Sequence, residues 1–208
     1  MQQQIRRWDT RHAEEIEAAF FNGSGMVVWE NVFGAHNPWV PEDRALWRRA
    51  VVILRAFTPE FTSDAWDPFY PALQPGLFLH RWPGQPTTLF TFRYSGAPRQ
   101  EAALLECPMP EGAAPDTLRV VDLWNRRALR YEITDTGALR IFGPLEPLGC
   151  LAVVSGGDPR VDALLADPAR REALGAFARE RVRREFDARN VARAEYEEYL
   201  RALESIRT

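Results

Sequence analysis

Apolar residues recur along the chain with three different periods. From Gln4 to Phe21 the residues Ile5, Trp8, Ile16 and Phe20, with His12 between them, fall at steps of three and four. That spacing predicts one stripe of an amphipathic helix. Asn22-Gly23-Ser24-Gly25 ends it, since glycine takes the left-handed conformation that closes a helix. Met26 to Trp29 then reads as a short apolar strand of the kind a parallel sheet buries on both faces. Pro41-Glu42-Asp43 opens a second helix running to about Phe57, because proline suits a first helical turn and acidic residues there complement the helix dipole. Helix, strand, loop, helix is one repeat of an α/β architecture, and one repeat cannot bury itself.

Between Pro71 and about Val154 the pattern changes to short runs of β-branched and aromatic residues broken by turn residues. Strands are predicted at Leu77 to Trp82, Thr87 to Tyr94, Glu101 to Cys107, Thr117 to Trp124, Leu129 to Thr134, Leu139 to Phe142 and Gly149 to Val154. Pro83-Gly84, Gly96-Ala97-Pro98, Asn125-Arg126, Asp135-Thr136-Gly137 and Gly143-Pro144 separate them at the spacing of an antiparallel sandwich. In "TLFTFRY", Leu89, Thr91 and Arg93 share one face and Phe90, Phe92 and Tyr94 the other, which predicts a half-buried strand. From Asp158 onward the chain is helical again. Asp158-Pro159 and Asp167-Pro168 read as N-cap and first-turn proline pairs that start a short helix and then a longer one. The expected class is therefore α+β, with an α/β segment over 1–70, an antiparallel β-sandwich over 71–156 and a helical C-terminal extension over 157–208.

With 208 residues, 46% of them hydrophobic and 26% charged, the composition is that of a folded globular chain. No apolar run approaches the roughly 20 residues that span a bilayer, so no membrane partner is expected. The N-terminus turns acidic where a signal peptide would be apolar, which predicts a cytoplasmic protein. A net charge of -3 gives no electrostatic case for nucleic acid. Every one of the 26 basic residues is arginine, which excludes a lysine nucleophile, Schiff base or phosphate-loop lysine. The two cysteines, Cys107 and Cys150, fall in predicted strands outside any CxxC spacing, and read as buried small hydrophobes. The residues call for no metal and no cofactor.

Trp29, Glu30 and Asn31 stand at the C-terminal end of the predicted short strand, which in a (β/α)8 barrel is the rim where active sites are built. The residue types suit a sugar. An indole covers the apolar face of a pyranose, a carboxylate and an amide take its hydroxyls, and Asn37 and Trp39 reach over from the following loop. Glycoside hydrolysis uses two carboxyl groups about 5 to 9 Å apart, and this segment offers one, Glu30. Without context, a lone Glu after an apolar strand reads first as a cap or ion-pair partner. "FTSDAWDPFYP", holding Asp64, Trp66, Asp67 and Tyr70, reads as a turn before an aromatic anchor, and "SGGDP" at 155–159 as a loop and helix cap. His80 reads as a packed residue in mid-strand.

The segments "AFFNGSGMVVWENVFGAHNPWVPEDRALWRRAVVILRAF", "FTSDAWDPFYPALQPGLFLHRW", "LFTFRY", "VVDLWNRRAL" and "PLGCLAVV" resemble the C-terminal part of bacterial glycoside-hydrolase-like proteins. In those, a (β/α)8 barrel is followed by an antiparallel β-sandwich. The resemblance covers roughly residues 5–163. It implies that Met26 to Asn31 is a late barrel strand, that Glu30 is the catalytic candidate, and that Trp29, Asn31, Asn37 and Trp39 contact the sugar. It also implies that most of the barrel lies upstream of Met1, so that the chain is a truncated fragment, catalytically incomplete unless a partner chain or self-association completes the barrel. The tail, roughly 158–205, is similar to the closing helices of GT-B glycosyltransferases, although no donor-binding glutamate motif precedes it. The expected partner is a carbohydrate or glycoside. The rival expectation is a non-enzymatic carbohydrate-binding or protein-interaction module that uses sandwich aromatics such as Trp82, Tyr94 or Trp124.

Overall fold

The computed structural model describes residues 2–4, 11–27 and 39–166. The chain divides into two units, Met1–Leu165 and Ala166–Thr208, and every element described belongs to the first. The long helix predicted beyond Asp167, with the rest of the resemblance to glycosyltransferase tails, lies outside the described residues.

Strand β1 (Gln2–Gln4) precedes helix α1 (Ala13–Phe21) and strand β2 (Gly25–Val27), and the two strands pair in parallel, Gln3 opposite Met26. The predicted first helix is therefore shorter at its start. Gln4 belongs to a strand, and His12, in non-helical backbone, precedes the first turn. Helix α2 (Pro41–Ala56) starts at the expected proline, and a short helix α3 (Thr58–Phe61) follows it after Phe57.

The antiparallel strands follow: β3 (Asp67–Tyr70), β4 (Leu77–Trp82), β5 (Thr87–Tyr94), β6 (Arg99–Pro108), β7 (Leu118–Asp122), β8 (Arg127–Ala128), β9 (Tyr131–Ile133), β10 (Ala138–Leu145) and β11 (Leu148–Ser155). They form two sheets, one ordered β3-β4-β5-β11-β7-β8 and one ordered β6-β10-β9. Helix α4 (Pro159–Leu165) closes the described chain, begun by Asp158 as its spacing predicts.

Three layers result, because alternate residues of the six-stranded sheet face different partners. Leu79, Phe90, Phe92, Leu151 and Val153 face the three-stranded sheet, where Leu104, Leu105, Leu139 and Ile141 fill the gap. Trp82, Leu89, Val121, Cys150, Ala152 and Val154 face the helices, against Phe20, Phe21, Ile53, Phe57 and Phe61. The expectation of a half-buried β5 is corrected by this second layer: Thr87, Leu89 and Thr91 are as fully buried as Phe90. Thr91 is tolerated there because its hydroxyl accepts from the Trp82 indole at 3.0 Å and donates to the Phe21 carbonyl at 2.8 Å.

Candidate functional site

The parallel pair β1–β2 and the helices α1 and α2 carry the segment singled out by the sequence. Trp29, Glu30, Asn31 and Asn37 lie outside the described residues, between Val27 at the end of β2 and Trp39 before α2. Trp39 is 7% exposed, and its ring stands 5.0 Å from that of His12 and packs beside Ile16, Leu46 and Trp47. Its Nε1–H is buried with no acceptor.

Around Trp39 the structure assembles polar groups that the sequence leaves scattered. His12, Glu15 and Asp43 are all buried. The His12 backbone N–H donates to Asp43 Oδ2, and His12 Nδ1 donates to Glu15 Oε2 at 2.7 Å. Asp43 thus joins the first turn of α2 to the start of α1, across a separation of 31 residues. Sequence reasoning places His12 in the apolar stripe and Asp43 as a helix-dipole residue. The signal available was that a histidine in an apolar stripe must find a partner when buried.

α1 is fixed to the sandwich through Phe21, which stacks on His80 with ring centroids 4.0 Å apart. His80 is packed, as its mid-strand position suggests. Burial drives its pKa down to about 4, so the ring is neutral at pH 7, and its Nδ1 accepts the Phe69 N–H at 3.0 Å. Phe69 takes a positive φ of 54° and is 70% exposed. In "FTSDAWDPFYP" Ser63 Oγ accepts the Ala65 N–H, a turn contact, and Asp67 pairs with Arg81 at 2.8 Å. Among the described residues no group of three or more His, Cys, Asp or Glu side chains is placed to hold a metal ion. Cys107 and Cys150 are buried and free, and burial pushes both thiols up, Cys107 to about 12.

Of the aromatics on which a sandwich binding face would depend, two are buried. Trp82 is 2% and Trp124 4% exposed. The first stacks on Trp66 and the second lies 4.8 Å from Phe20, both on the helix-covered face. Tyr94 is half-buried against the inner core.

No family model matches the chain, and no curated protein matches it. Among solved structures it is similar to a cyclomaltodextrin glucanotransferase with a three-domain ABC distribution, at 11% identity and a TM-score of 0.44 over 68% of this chain and 32% of that one. It is similar to an Anoxybacillus α-amylase at 10% identity and a TM-score of 0.40, over 69% and 33% of the two chains. A third likeness is to a GH30 endoxylanase from Clostridium papyrosolvens C71, at 10% identity and a TM-score of 0.39, over 74% and 42%. The chain thus spans less than half the length of each. Among the described residues no helix is long and apolar enough to cross a membrane.

Proposed function

We propose that the chain is part of a glycoside-hydrolase-like protein and handles carbohydrate through the segment that joins β2 to α2. The observation that carries this reading is the parallel β1–β2 pair bridged by α1, in a molecule whose other described strand pairs are antiparallel. A parallel pair with a crossover helix is the repeating unit of barrels and doubly wound sheets, and those folds bind ligands at the C-terminal ends of their strands. β2 is described as far as Val27, and the sequence after it supplies Trp29, Glu30 and Asn31. Asn37 and Trp39 follow in sequence, and the unused Trp39 Nε1–H adds a donor of the kind that takes a hydroxyl.

In this reading Trp29 is the stacking platform, Asn31 and Asn37 bind hydroxyls, and Glu30 is the acid/base or hydroxyl-binding carboxylate. Among the described residues β1 and β2 pair only with each other, and the outer backbone groups of such a pair need neighbours. A partner chain, a second copy or further barrel strands would supply them, together with the second carboxylate that hydrolysis requires. The burial of Trp82 and Trp124 favours this site over a binding face on the sandwich.

The test is calorimetric titration of the 208-residue chain with neutral oligosaccharides, repeated with Trp29→Ala and Glu30→Gln. Loss of a stacked indole is expected to weaken binding at least about tenfold. Binding that is indifferent to both substitutions would overturn the assignment.

A further inference from the structure

A cleft of about 750 Å³ opens at one end of the sandwich, far in sequence from the β2 loop. It lies in the range of about 300 to 1,000 Å³ that small-molecule sites occupy. Sheet register explains why it exists. The inner face of the six-stranded sheet is covered by β6 only as far as Pro108. Beyond that end the inward positions continue on three strands, Arg81 on β4 opposite Phe90 on β5, Thr88 on β5 opposite Val153 on β11, and Ser155 at the end of β11.

Residue type changes where the cover stops. Along β4 the inward row runs Leu77, Leu79, Arg81, along β5 Phe92, Phe90, Thr88, and along β11 Leu151, Val153, Ser155. Each strand thus replaces an apolar core residue by a hydrogen-bonding one at the same end. The change is staggered, Arg81 lying opposite Phe90 and Thr88 opposite Val153, so the three polar groups follow a diagonal across the floor of the cleft. The walls are the Gly84-Gln85-Pro86 turn on one side and Pro108 to Glu111 on the other. Arg81 gives one Nη to Asp67 at 2.8 Å, while its Nε–H is buried without an acceptor.

We infer that this cleft is a second binding site, for a neutral polyhydroxylated molecule of the size of a mono- or disaccharide. The hydrogen-bonding groups are mixed: Arg81 donates, Glu111 accepts, and Thr88, Ser155 and Gln85 do both, which matches hydroxyls that also do both. An anion is disfavoured because Asp67 already neutralises Arg81 and Glu111 stands in the wall. A hydrocarbon would leave the buried Arg81 Nε–H without an acceptor. An extended peptide finds no free strand edge, since β4, β5 and β11 each have neighbours on both sides. Met109 and the wall prolines offer C–H surface to a sugar ring face. The site shares no residue with the β2 loop, so either stands if the other falls.

Amide chemical shifts of the labelled 208-residue chain, followed while cellobiose or maltose is added, test this. Saturable shifts are expected at Gly84, Gln85, Thr87, Thr88, Met109, Glu111 and Ser155. They should need at least tenfold more sugar in a Thr88→Val, Ser155→Ala double variant, several-fold more in Gln85→Ala, which changes only an exposed turn residue, and the same amount in Trp29→Ala. Shifts that are absent from these amides at saturation elsewhere, that persist unchanged in both cleft variants, or that arise with glucuronate and not with the neutral sugars would overturn the inference.

Discussion

Phe21 lies stacked on His80, ring centroids 4.0 Å apart and planes 26° from parallel, so the last residue of α1 is seated directly on the second strand of the large sheet. The contact makes the helical segment and the sandwich one packed unit, and it depends on a neutral imidazole. His80 keeps its pKa near 4, below its ordinary 6.5, because burial penalises the charged form.

The sign of the resulting pH dependence is fixed. A histidine whose folded pKa is depressed binds fewer protons folded than unfolded, so its stabilising effect is complete above about 6.5 and is lost as the pH falls towards 4. Urea denaturation should show stability falling by a few kcal/mol over that window. His80→Asn, which retains an acceptor for the Phe69 N–H, should flatten the slope between those pH values.

A second, more acidic window belongs to Asp158. Burial raises its pKa, but hydrogen bonds from Arg160 and Thr87 outweigh that and hold it at about 2. Its contribution is present above about 3.8 and disappears as the pH drops to 2, on the order of 2 kcal/mol. Asp158→Asn should cost about 2–3 kcal/mol at pH 7, since Arg160 then keeps only Glu60, at 2.9 Å, as an ionic partner. The difference between the thermal melts of the two proteins should be roughly half as large at pH 3 as at pH 7.

Gly149 sits opposite Phe92 in the central strand pair. A Cβ there would meet the Phe92 ring at 2.1 Å, and that ring is locked in the core. Gly149→Ala should destabilise by about 1–3 kcal/mol through overpacking. Gly157→Ala, where an added Cβ meets nothing within 4 Å, is the control, with a change within about 0.5 kcal/mol.

Trp39→Phe separates the structural from the functional role of the unused indole N–H. Because Nε1 has no acceptor, its removal forfeits no internal hydrogen bond, and urea denaturation should show only the cost of a smaller ring in a buried site, about 1–2 kcal/mol. Oligosaccharide affinity should fall, by the loss of one hydrogen bond to a hydroxyl.

Alternation made the sandwich legible. Leu77 to Trp82 and Thr87 to Tyr94 form strands with the limits their residues suggest, and β6, β7 and β11 differ by a few residues at their ends. The strand expected at Leu129 to Thr134 is only Tyr131–Ile133, and Gly143-Pro144, expected as a turn, lies inside β10, where a register shift accommodates the proline. The helix layer over β5 was not legible, because Thr87 and Thr91 look solvent-facing until Asp158, Trp82 and the Phe21 carbonyl arrive from elsewhere in the chain. β1 is three glutamines without an apolar residue, and β3 contains Pro68 and a left-handed Phe69, so neither carries a strand signature. For the candidate site, residue type pointed to the segment that follows Val27. The buried link from His12 to Asp43 and Glu15 is tertiary, and no local pattern encodes it.

The central claim is that the segment between Val27 and Trp39 binds carbohydrate. Hydrogen exchange of the intact chain, with and without a saturating oligosaccharide found to bind it, tests this most directly. Slowed exchange over residues 28–39, lost in Glu30→Gln and Trp29→Ala, is the predicted result. Exchange there that is identical with and without the bound sugar would contradict it.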